Sequence, residues 1–572
     1  MIFLPASTAL LLAALSRLGN ATPLLSTGQK CRNVPGSAGF PAPTAWNAFN
    51  STISGRLVAA IPSAEFCVNR GGCTDAEWTS AVFRNHIPGA MNQINWEQGY
   101  DLTPPSLCVV NGTACGQGDV PLYSVEAQTV ADVQAAVKFA TTNDLRVAIK
   151  SSGHDYLGRS TAPHSLLIHT NNLTNLSFTD AFFVGNESLG SAVTVGPGVH
   201  LTLIYQESKA LGRIAVGGSA ATVCAAGGYL QGAGHSSLSP TFGLAADNVL
   251  EFQIVVASGE LLQVNSITNP NLFYALRGGG AGSWGVVVSA TFRTFPTFNS
   301  TFGLFTLSAA NNKAMAALAT LHAQHIFDFE ATNSSQYFIV EADLTGTTTT
   351  STMTLETYMI NQTVEQSQAI IAPFLTAAQA LPGVAIVSSK YTYGLMNDLL
   401  NHPDDSVGND LVMGSRLIPE STYRNSPETV GEVYQQLLDA GTPIIFGNLV
   451  AGGKVAENAN IDSAVNPAWR TAKTHLIVIN GWLDSTSQDN VNALRSKFRN
   501  TQLPILEQMS GPNAGSYSNE ADVMEADFQT TFFGPNYAKL SAIKSKYDPD
   551  DLFIVGAGVG SERWDEWGLC TV

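Results

Sequence analysis

The chain has 572 residues, 45% of them hydrophobic, and its 28 Lys and Arg face 45 Asp and Glu, which gives a formal net charge of −17. This acidic balance excludes a protein that binds nucleic acid electrostatically, because neutralising phosphates requires a basic face. With only 13% charged residues and 51 glycines, the composition also excludes a disordered chain and predicts a large folded protein rich in turns.

The N-terminal residues predict export from the cell. Residues 1–21 form a short apolar run with small residues at Gly19 and Ala21, which is typical of a signal peptide and too short for a membrane span. No later stretch is apolar enough to span a membrane, so we expect a secreted protein without a membrane partner. Eight Asn-X-Ser/Thr sequons predict N-glycans. They begin at Asn50, Asn111, Asn172, Asn175, Asn186, Asn299, Asn333 and Asn361.

Seven cysteines leave at least one thiol unpaired in an oxidising compartment. Short spacings favour the pairs Cys67–Cys73 and Cys108–Cys115, and Cys31–Cys570 would then join the two ends of the chain. Six cysteines allow fifteen pairings, so the connectivity stays open at this point. None of the cysteines has CxxC spacing, which argues against a structural zinc site.

The chain changes texture several times. Residues 22–117 are rich in Pro, Gly, Asn and Cys and predict an irregular extension pinned by disulfides. A β-α-β unit follows: a strand at 124–127, a helix that opens with the capping box Thr129–Asp132 and ends near Asn143, and a strand at 145–150. This unit leads into the glycine-bearing loop 151–160, at a strand end where ligands tend to bind.

Short strands and glycine turns predominate from 166 to 292, including a predicted hairpin of strands 251–256 and 261–264. Longer helical patterns, such as 311–325, mark residues 300–510, and a Thr-rich stretch at 345–354 is interpreted as a loop. We place a domain boundary near residues 296–300. Beyond 511 the glycine-rich texture returns and the chain ends in a charged tail that contains tryptophan.

Three familiar motifs are weak here. Residues 280–285 satisfy G-x-G-x-x-G, but a helix is predicted before the glycines and a strand after them, the reverse of a dinucleotide-binding fingerprint. No G-x-S-x-G nucleophile elbow occurs. His322 and His325 lie three residues apart on one predicted helix without a third ligand, so we interpret them as a solvated helix face and predict no metal site.

His154 is the most informative histidine. It lies among Ser152, Gly153 and Gly158, so the surrounding backbone can approach a ligand closely and offer N–H donors to anionic oxygens. An isolated turn histidine would have no special role. Four further glycine-bearing blocks, at 195–199, 217–235, 278–285 and 556–560, argue against that simple interpretation.

Together these blocks resemble the covalent flavoproteins of the vanillyl-alcohol oxidase superfamily and, within it, the berberine-bridge-enzyme-like oxidoreductases, over about residues 121–296 and 517–553. The resemblance implies an α+β fold, with a two-part PCMH-type FAD-binding domain and an antiparallel-sheet substrate domain covered by helices. The expected divisions are a signal peptide at 1–21, the extension at 22–117, the FAD domain at 118–299, the substrate domain at 300–510, and a segment at 511–572 that returns to the flavin.

The resemblance also implies the cofactor and its contacts. His154 matches the histidine that carries the 8α-methyl group of FAD. The residues expected to bind the remainder of FAD are Ser152, Gly153, Asp155, Gly158, Arg159, Ser160, Gly217, Gly228, Gly232, Gly234, His235, Asp247, Asn248, Asn536 and Tyr537. Arg159 and Arg277 are candidate partners for the negative charge of FAD, with a structural role as the alternative.

One departure from the family concerns Cys224. Many relatives attach the flavin a second time through a cysteine six residues before a Gly-Gly pair, and here that position is Ala221. Cys224 lies only three residues before Gly227. We therefore predict a single attachment through His154, with Cys224 as the leftover thiol near the flavin, and double attachment as the alternative.

The resemblance implies oxidation of an alcohol or a similar C–H group of a small organic substrate, with secondary metabolism as the expected setting, dioxygen as the electron acceptor and hydrogen peroxide as its product. The candidate catalytic residues are Tyr156, Tyr517 and Glu520, and Glu520 stands where relatives usually have a second tyrosine. A carboxylate in an apolar pocket could have a raised pKa and act as a base, whereas Glu520 on a surface loop would not. The rival classes are a non-redox cyclase or pericyclase and a flavin-binding protein without turnover.

Overall fold

The computed structural model describes residues 29–110, 115–343, 350–401, 407–511 and 514–572. The predicted signal peptide and the sequon at Asn111 lie outside these ranges. Three β-sheets and the helices around them form the structure, and the predicted α+β class with an antiparallel, helix-covered sheet is confirmed.

The first sheet contains the predicted β-α-β unit. Its four strands lie in the order Leu57–Ala59, Tyr123–Glu126, Leu166–His169 and Val147–Lys150. The last three run parallel, and Leu57–Ala59 is antiparallel to its neighbour. Helix Val130–Thr142 starts at the predicted capping box. The Thr129 side chain accepts a hydrogen bond from the Asp132 backbone N–H, and the Asp132 side chain accepts one from the Thr129 backbone N–H.

The second sheet is antiparallel and packs near the first. Its strands lie in the order Leu261–Asn265, Val249–Val255, Val286–Pro296, Ala192–Val195 and Leu176–Thr179, and Arg213–Ala215 pairs with the far end of Val286–Pro296. The predicted hairpin is confirmed, because Val255 pairs with Leu261 across its turn. A small separate hairpin joins Phe183–Val184 and Glu187–Ser188.

The third sheet has seven antiparallel strands. They lie in the order Val384–Leu395, Asn299–Ala309, Ser351–Ile360, Ser334–Ala342, Ile444–Leu449, Ala472–Trp482 and Asp410–Pro419. Helices Asn312–Glu330, Val364–Gln379 and Pro427–Asp439 bury their apolar faces in the same core as this sheet.

The prediction of a loop at 345–354 is wrong for residues 351–354, which form part of a strand. Residues 344–349 lie outside the described ranges, but strand Ser351–Ile360 begins inside the Thr-rich stretch. Met353 and Leu355 point into the core while Thr352 and Thr354 are half-buried on the other face. Threonine is β-branched and suits such alternation, so its abundance here indicates a strand.

The N-terminal extension is more regular than predicted. It contains helices Pro43–Thr52, Ser63–Asn69, Asp75–Trp78 and Ala81–Asn85. The first has Pro at its first position, and the side chains of Thr74 and Ser80 cap the last two. The three cysteine pairings favoured by the sequence are present, as Cys31–Cys570, Cys67–Cys73 and Cys108–Cys115. Within the described residues, Cys224 is the free cysteine, and it is buried.

The remaining α-helices are short connections around the three sheets. They are Leu201–Ala210, Ser239–Phe242, Pro270–Ala275, Met396–Leu400, Glu420–Asn425, Gly453–Glu457, Gln488–Lys497, Leu503–Glu507 and Tyr537–Tyr547. None of the helices in the described ranges combines the length and apolar character that crossing a bilayer requires.

The second sheet gives way to the third near residue 297. Strand Val286–Pro296 ends the second sheet, and strand Asn299–Ala309 begins the third. We propose residues 118–299 and 300–510 as the two main units on this basis. Strand Leu57–Ala59 of the extension joins the first sheet, whereas Gln93 and Asn95 contact Asn409 and Leu411 of the second unit.

Candidate functional site

A cavity opens where the glycine-bearing loops converge. The loop after strand Val147–Lys150 forms one wall, the turn at Ala225–Tyr229 and the loop before strand Val286–Pro296 form others, and the segment around Tyr517 closes it. The lining residues are Ile149, Ser151, Ser152, Gly153, His154, Asp155, Tyr156, Arg159, Ser160, Thr170, Pro197, Ala220, Val223, Cys224, Ala226, Gly227, Gly228, Tyr229, Gln231, Ala281, Gly282, Gly285, Val287, Tyr517, Asn519 and Glu520.

Two hydrogen bonds from the N-terminal extension anchor the loop 151–160. The Asn92 amide donates to the Gly153 carbonyl at 3.1 Å, and the Trp96 indole donates to the Tyr156 carbonyl at 2.9 Å. Gly153 has a φ of +85°, a backbone conformation that favours glycine. These contacts fix the direction in which His154 and Tyr156 enter the cavity.

His154 is half-buried and lines the cavity. Its Nε2 atom is 2.8 Å from the hydroxyl of Thr222, a residue that the sequence analysis missed. Burial, together with the nearby His200, lowers the pKa of His154 to about 3, so its imidazole is neutral at pH 7. A neutral ring retains a nitrogen lone pair that can form a covalent bond.

Cys224 lines the same cavity, but its thiol is in the protonated, weakly nucleophilic form. Burial raises the pKa of its thiol to about 12, although hydrogen bonds with Ser151 and Ser152 act in the opposite direction. The thiolate is the nucleophilic form, so a thiol with this pKa stays protonated and unreactive at neutral pH.

Arg159 is held by protein partners. Its guanidinium lies 2.5 Å from Asp155 and 3.0 Å from the side-chain oxygen of Asn519. Arg277 does not line the cavity; it stacks 4.0 Å from the Phe273 ring and donates to a backbone carbonyl at Asp462. The structural interpretation therefore holds for Arg277.

The three candidate catalytic residues share the cavity. Tyr156, Tyr517 and Glu520 all line it, although they are up to 364 positions apart in the chain. The Tyr517 hydroxyl accepts a hydrogen bond from Asn519 at 2.9 Å. Burial, and secondarily Glu520, raises the pKa of Tyr517, so its phenol stays protonated.

Glu520 lies between two histidines. Both of its carboxylate oxygens are 3.3 Å from His235 Nε2, and one is 3.4 Å from His475 Nδ1. Burial raises the pKa of Glu520, but His235 first and His475 second outweigh burial, so the pKa lies below the ordinary value. The predicted raised pKa is therefore wrong, because two neighbouring imidazoles stabilise the carboxylate. The surface-loop alternative does not hold, since Glu520 lines the cavity.

His475 is the main residue that the sequence analysis missed. It lies in strand Ala472–Trp482, fully buried, between Trp469 and Tyr517 at ring distances of 5.8 and 5.7 Å. Burial lowers its pKa to about 3. The run Lys473, Thr474, His475 puts three consecutive buried polar residues in an apolar strand, a signal that could have identified it.

Several glycines predicted to contact FAD lie close to neighbouring side chains, so a larger residue would not fit there. A Cβ built at Gly232 would lie 2.3 Å from the Asn519 amide, and one at Gly217 would lie 2.3 Å from the Tyr205 hydroxyl. Gly158 likewise faces the Trp96 ring. These positions, with Gly234, support the cavity walls without lining the cavity.

Other predicted cofactor residues also lie away from the cavity. Asp247 pairs with Arg470 at 2.7 Å, and the Asn248 amide donates to the Phe242 and Leu244 carbonyls. Asn536 donates to two backbone carbonyls near residue 464, and the Tyr537 hydroxyl lies 2.5 Å from Glu562. The polar atoms of these residues, and of His235 beside Glu520, thus contact protein partners, and their predicted contacts with FAD stay predictions.

The two doubtful motifs are resolved by their neighbours. Helix Pro270–Ala275 precedes the 280–285 loop and strand Val286–Pro296 follows it, in the predicted reverse order, and Gly282 and Gly285 line the cavity. His322 is buried and lies 2.8 Å from Gln336, whereas His325 pairs with Asp328. The prediction of a solvated face is therefore wrong for His322, because a polar partner satisfies it inside the core.

Comparison with known proteins adds independent information. The model described as FAD binding domain matches residues 121–265, and the model described as berberine and berberine like matches residues 516–560. An FAD-linked oxidoreductase of Arthroderma benhamiae is 37% identical to this chain and covers 99% of both sequences.

Solved structures share the fold. The VAO-type flavoprotein MtVAO615 of Myceliophthora thermophila is 29% identical, with a TM-score of 0.83 over 95% of this chain and all of that chain. Glucooligosaccharide oxidase of Acremonium strictum, which carries a 6-S-cysteinyl, 8α-N1-histidyl FAD, has a TM-score of 0.63 at 20% identity, covers 81% of this chain and 95% of its own, and shows likeness of fold alone.

Proposed function

The chain belongs to the FAD-linked oxidoreductases of the VAO-type, berberine-bridge-enzyme-like family, and we propose that it carries its FAD covalently on His154 and oxidises an alcohol or similar C–H group of a small organic molecule. One observation carries the proposal: His154, Tyr156, Tyr517 and Glu520 line a single cavity.

The cavity residues fit FAD. Gly153 and Gly282 have positive φ and bring backbone to the cavity wall. A Cβ built at Gly228 would meet no protein atom nearer than Ala281 at 3.8 Å, so the bare face of this glycine is turned to open space. Ser152, Ser160 and the loop amides are suitable donors for phosphate oxygens. Bound FAD would supply the acceptor for a substrate hydride and a route for electrons to dioxygen.

Attachment through His154 is supported by its chemistry. The ring is neutral at pH 7, and the 2.8 Å contact with Thr222 holds it in one orientation. Glucooligosaccharide oxidase carries a histidyl FAD that is also linked through a cysteine. Cys224 is protonated, which supports attachment through the histidine without a second link through sulfur.

Glu520 is the proposed proton acceptor. Its carboxylate is ionised at neutral pH and lines the cavity, so it can take the hydroxyl proton as a substrate alcohol is oxidised. His235 and His475 position the carboxylate from either side. Tyr156 and the protonated Tyr517 are available to donate hydrogen bonds to a substrate oxygen.

Secretion and glycosylation are part of the proposal. Three disulfides are compatible with an oxidising compartment. Among the sequon asparagines in the described ranges, Asn50 is half-buried and the others are exposed. Those exposed side chains are Asn172, Asn175, Asn186, Asn299, Asn333 and Asn361.

The test is a panel of alcohols, sugars and phenols presented to the purified holoenzyme. We expect at least one compound to bleach the flavin absorbance anaerobically and to release hydrogen peroxide in air. A flavin that is reduced without peroxide release would contradict dioxygen as the acceptor. Product formation with the flavin still oxidised would favour the cyclase class, and a colourless purified protein would overturn the proposal as a whole.

A further inference from the structure

Two histidines and a carboxylate from distant parts of the chain meet beside the flavin cavity. His235, His475 and Glu520 present ring nitrogens and a carboxylate oxygen that all lie within 4.8 Å of one another. His235 and His475 are buried, and Glu520 is half-buried. Among the residues that the structure describes, no other group of three such side chains converges in this way.

The spacing of these atoms is unusual for hydrogen bonds. His235 Nε2 lies 3.3 Å from Glu520, and His475 Nδ1 lies 3.4 Å from it, both longer than the N–H···O mode of about 2.9–3.0 Å. A tetrahedral ion with bonds of about 2.0–2.1 Å places neighbouring ligand atoms about 3.3–3.4 Å apart. The two separations that join Glu520 to the ring nitrogens match edges of such a tetrahedron, and all three ligand atoms lie within 4.8 Å of one another.

Asn448 supplies a fourth polar group. It pairs in register with His475 across strands Ile444–Leu449 and Ala472–Trp482, and its amide nitrogen lies 3.3 Å from His475 Nδ1. The Asn448 oxygen is buried without a hydrogen-bond partner. Rotating the amide by half a turn exchanges the two atoms and brings an oxygen to about 3.3 Å from His475 Nδ1.

We infer that His235, Glu520, His475 and Asn448 form a binding site for a transition-metal dication such as Zn²⁺. Imidazole nitrogen and carboxylate oxygen are ligands that zinc accepts. The site borders the cavity through Glu520, which is one of the lining residues. A bound dication occupies the lone pair with which Glu520 would accept a proton, so zinc inhibits turnover.

The inhibition rests on the proposed function, whereas the binding does not. The experiment therefore measures both on chelator-treated, desalted holoenzyme. Equilibrium dialysis against ZnCl₂, with metal counted by atomic emission, is compared between the wild type and His475→Gln. The matched control is His325→Gln, which removes a histidine that pairs with Asp328 on the helix Asn312–Glu330.

We expect the wild type and His325→Gln to bind one more zinc ion than His475→Gln, or to bind it at least tenfold more tightly. Anaerobic flavin reduction should fall as that ion binds. If His475→Gln does not fold, His235→Gln replaces it with the same expectation. Equal zinc binding by all variants would overturn the site. Full flavin reduction at saturating zinc would overturn the inhibition while leaving the oxidoreductase function intact.

Discussion

Glu520 shows how neighbours decide the chemistry of a single residue. In isolation, a buried carboxyl group would hold its proton. Here His235 and His475 lie within 3.4 Å and reverse that effect, so the carboxylate form is favoured. The sequence singled out Glu520, which does line the cavity, but could not predict its protonation state, because His475 is separated from it by 45 positions and enters through another strand.

Replacing Glu520 by Gln should therefore slow the chemical step without removing the flavin. We expect the rate of anaerobic flavin reduction to fall by about 10²–10⁴-fold, because the amide cannot accept the substrate proton. Stopped-flow absorbance measures the rate, and flavin content per protein shows that the cofactor site is intact. Glu260→Gln, on an exposed hairpin turn, is the control. A rate within a factor of two of the wild type would exclude Glu520 as the base.

At the scale of elements, the glycine loops depend on packing that the sequence does not display. Gly158 was predicted to contact FAD. In the structure, the position that a Cβ would occupy is filled by the Trp96 ring, which comes from the N-terminal extension. The β-α-β unit was predicted well because capping and helical periodicity are local signals. The contact between Gly158 and Trp96, which are 62 positions apart, leaves no such local signal in the sequence.

A matched pair of glycines tests the packing of Gly158. Gly158 and Gly190 both have positive φ, +74° and +83°, so alanine strains the backbone at both. A Cβ at Gly158 would clash with Trp96 at 2.5 Å, whereas a Cβ at Gly190 would have no neighbouring atom within 4 Å. We expect Gly158→Ala to be less stable than Gly190→Ala by about 1–3 kcal/mol and to bind less flavin. Equal melting temperatures and flavin contents would contradict this packing.

Asp410, the first residue of strand Asp410–Pro419, is buried where its ionised form is destabilised. Burial, with the charges of Asp484 and Glu97, raises its pKa to about 8, while Arg84 acts in the opposite direction. Tyr100 is the other titratable neighbour, and its own pKa is raised in part by Asp410. Since the unfolded carboxyl ionises near its ordinary pKa of about 4, the folded state binds the extra proton between about pH 4 and 8.

Stability should therefore fall as the pH rises through that window, and then level off above pH 8. Asp410→Asn removes the titration and keeps the shape. We expect its advantage over the wild type to grow from pH 4 to pH 8 and to reach about 5 kcal/mol, because each unit of pKa shift corresponds to about 1.4 kcal/mol. Melting curves at several pH values measure it. A pH-independent difference would show that Asp410 titrates normally in the folded protein.

For the whole molecule, the two chain ends are joined through the Cys31–Cys570 bond. Backbone hydrogen bonds from Arg32 to Leu569 and from Thr571 to Lys30 flank it. The sequence could suggest this pairing because the other two cysteine pairs had short spacings. It could not show that the extension between Cys31 and residue 117 folds into helices and adds a strand to the first sheet, since those contacts are distant in sequence.

Loop size predicts which disulfide matters more for stability. Cys31–Cys570 spans 539 positions and Cys67–Cys73 spans only 6. Cross-linking the longer loop restricts the unfolded chain more, so the double variant Cys31→Ser/Cys570→Ser should lose about 2–5 kcal/mol. The double variant Cys67→Ser/Cys73→Ser, the control, should lose less. Equal losses in thermal unfolding would mean that local packing, and not chain restriction, decides the effect.

The central claim concerns the bond between the protein and FAD. Mass spectrometry of a proteolytic digest of acid-precipitated protein tests it most directly. We predict a yellow precipitate and one flavin-bearing peptide that contains His154, with the Cys224 peptide unmodified and with no covalent flavin in His154→Ala. Covalent flavin retained in His154→Ala, or a flavin peptide that contains Cys224, would contradict single attachment through His154.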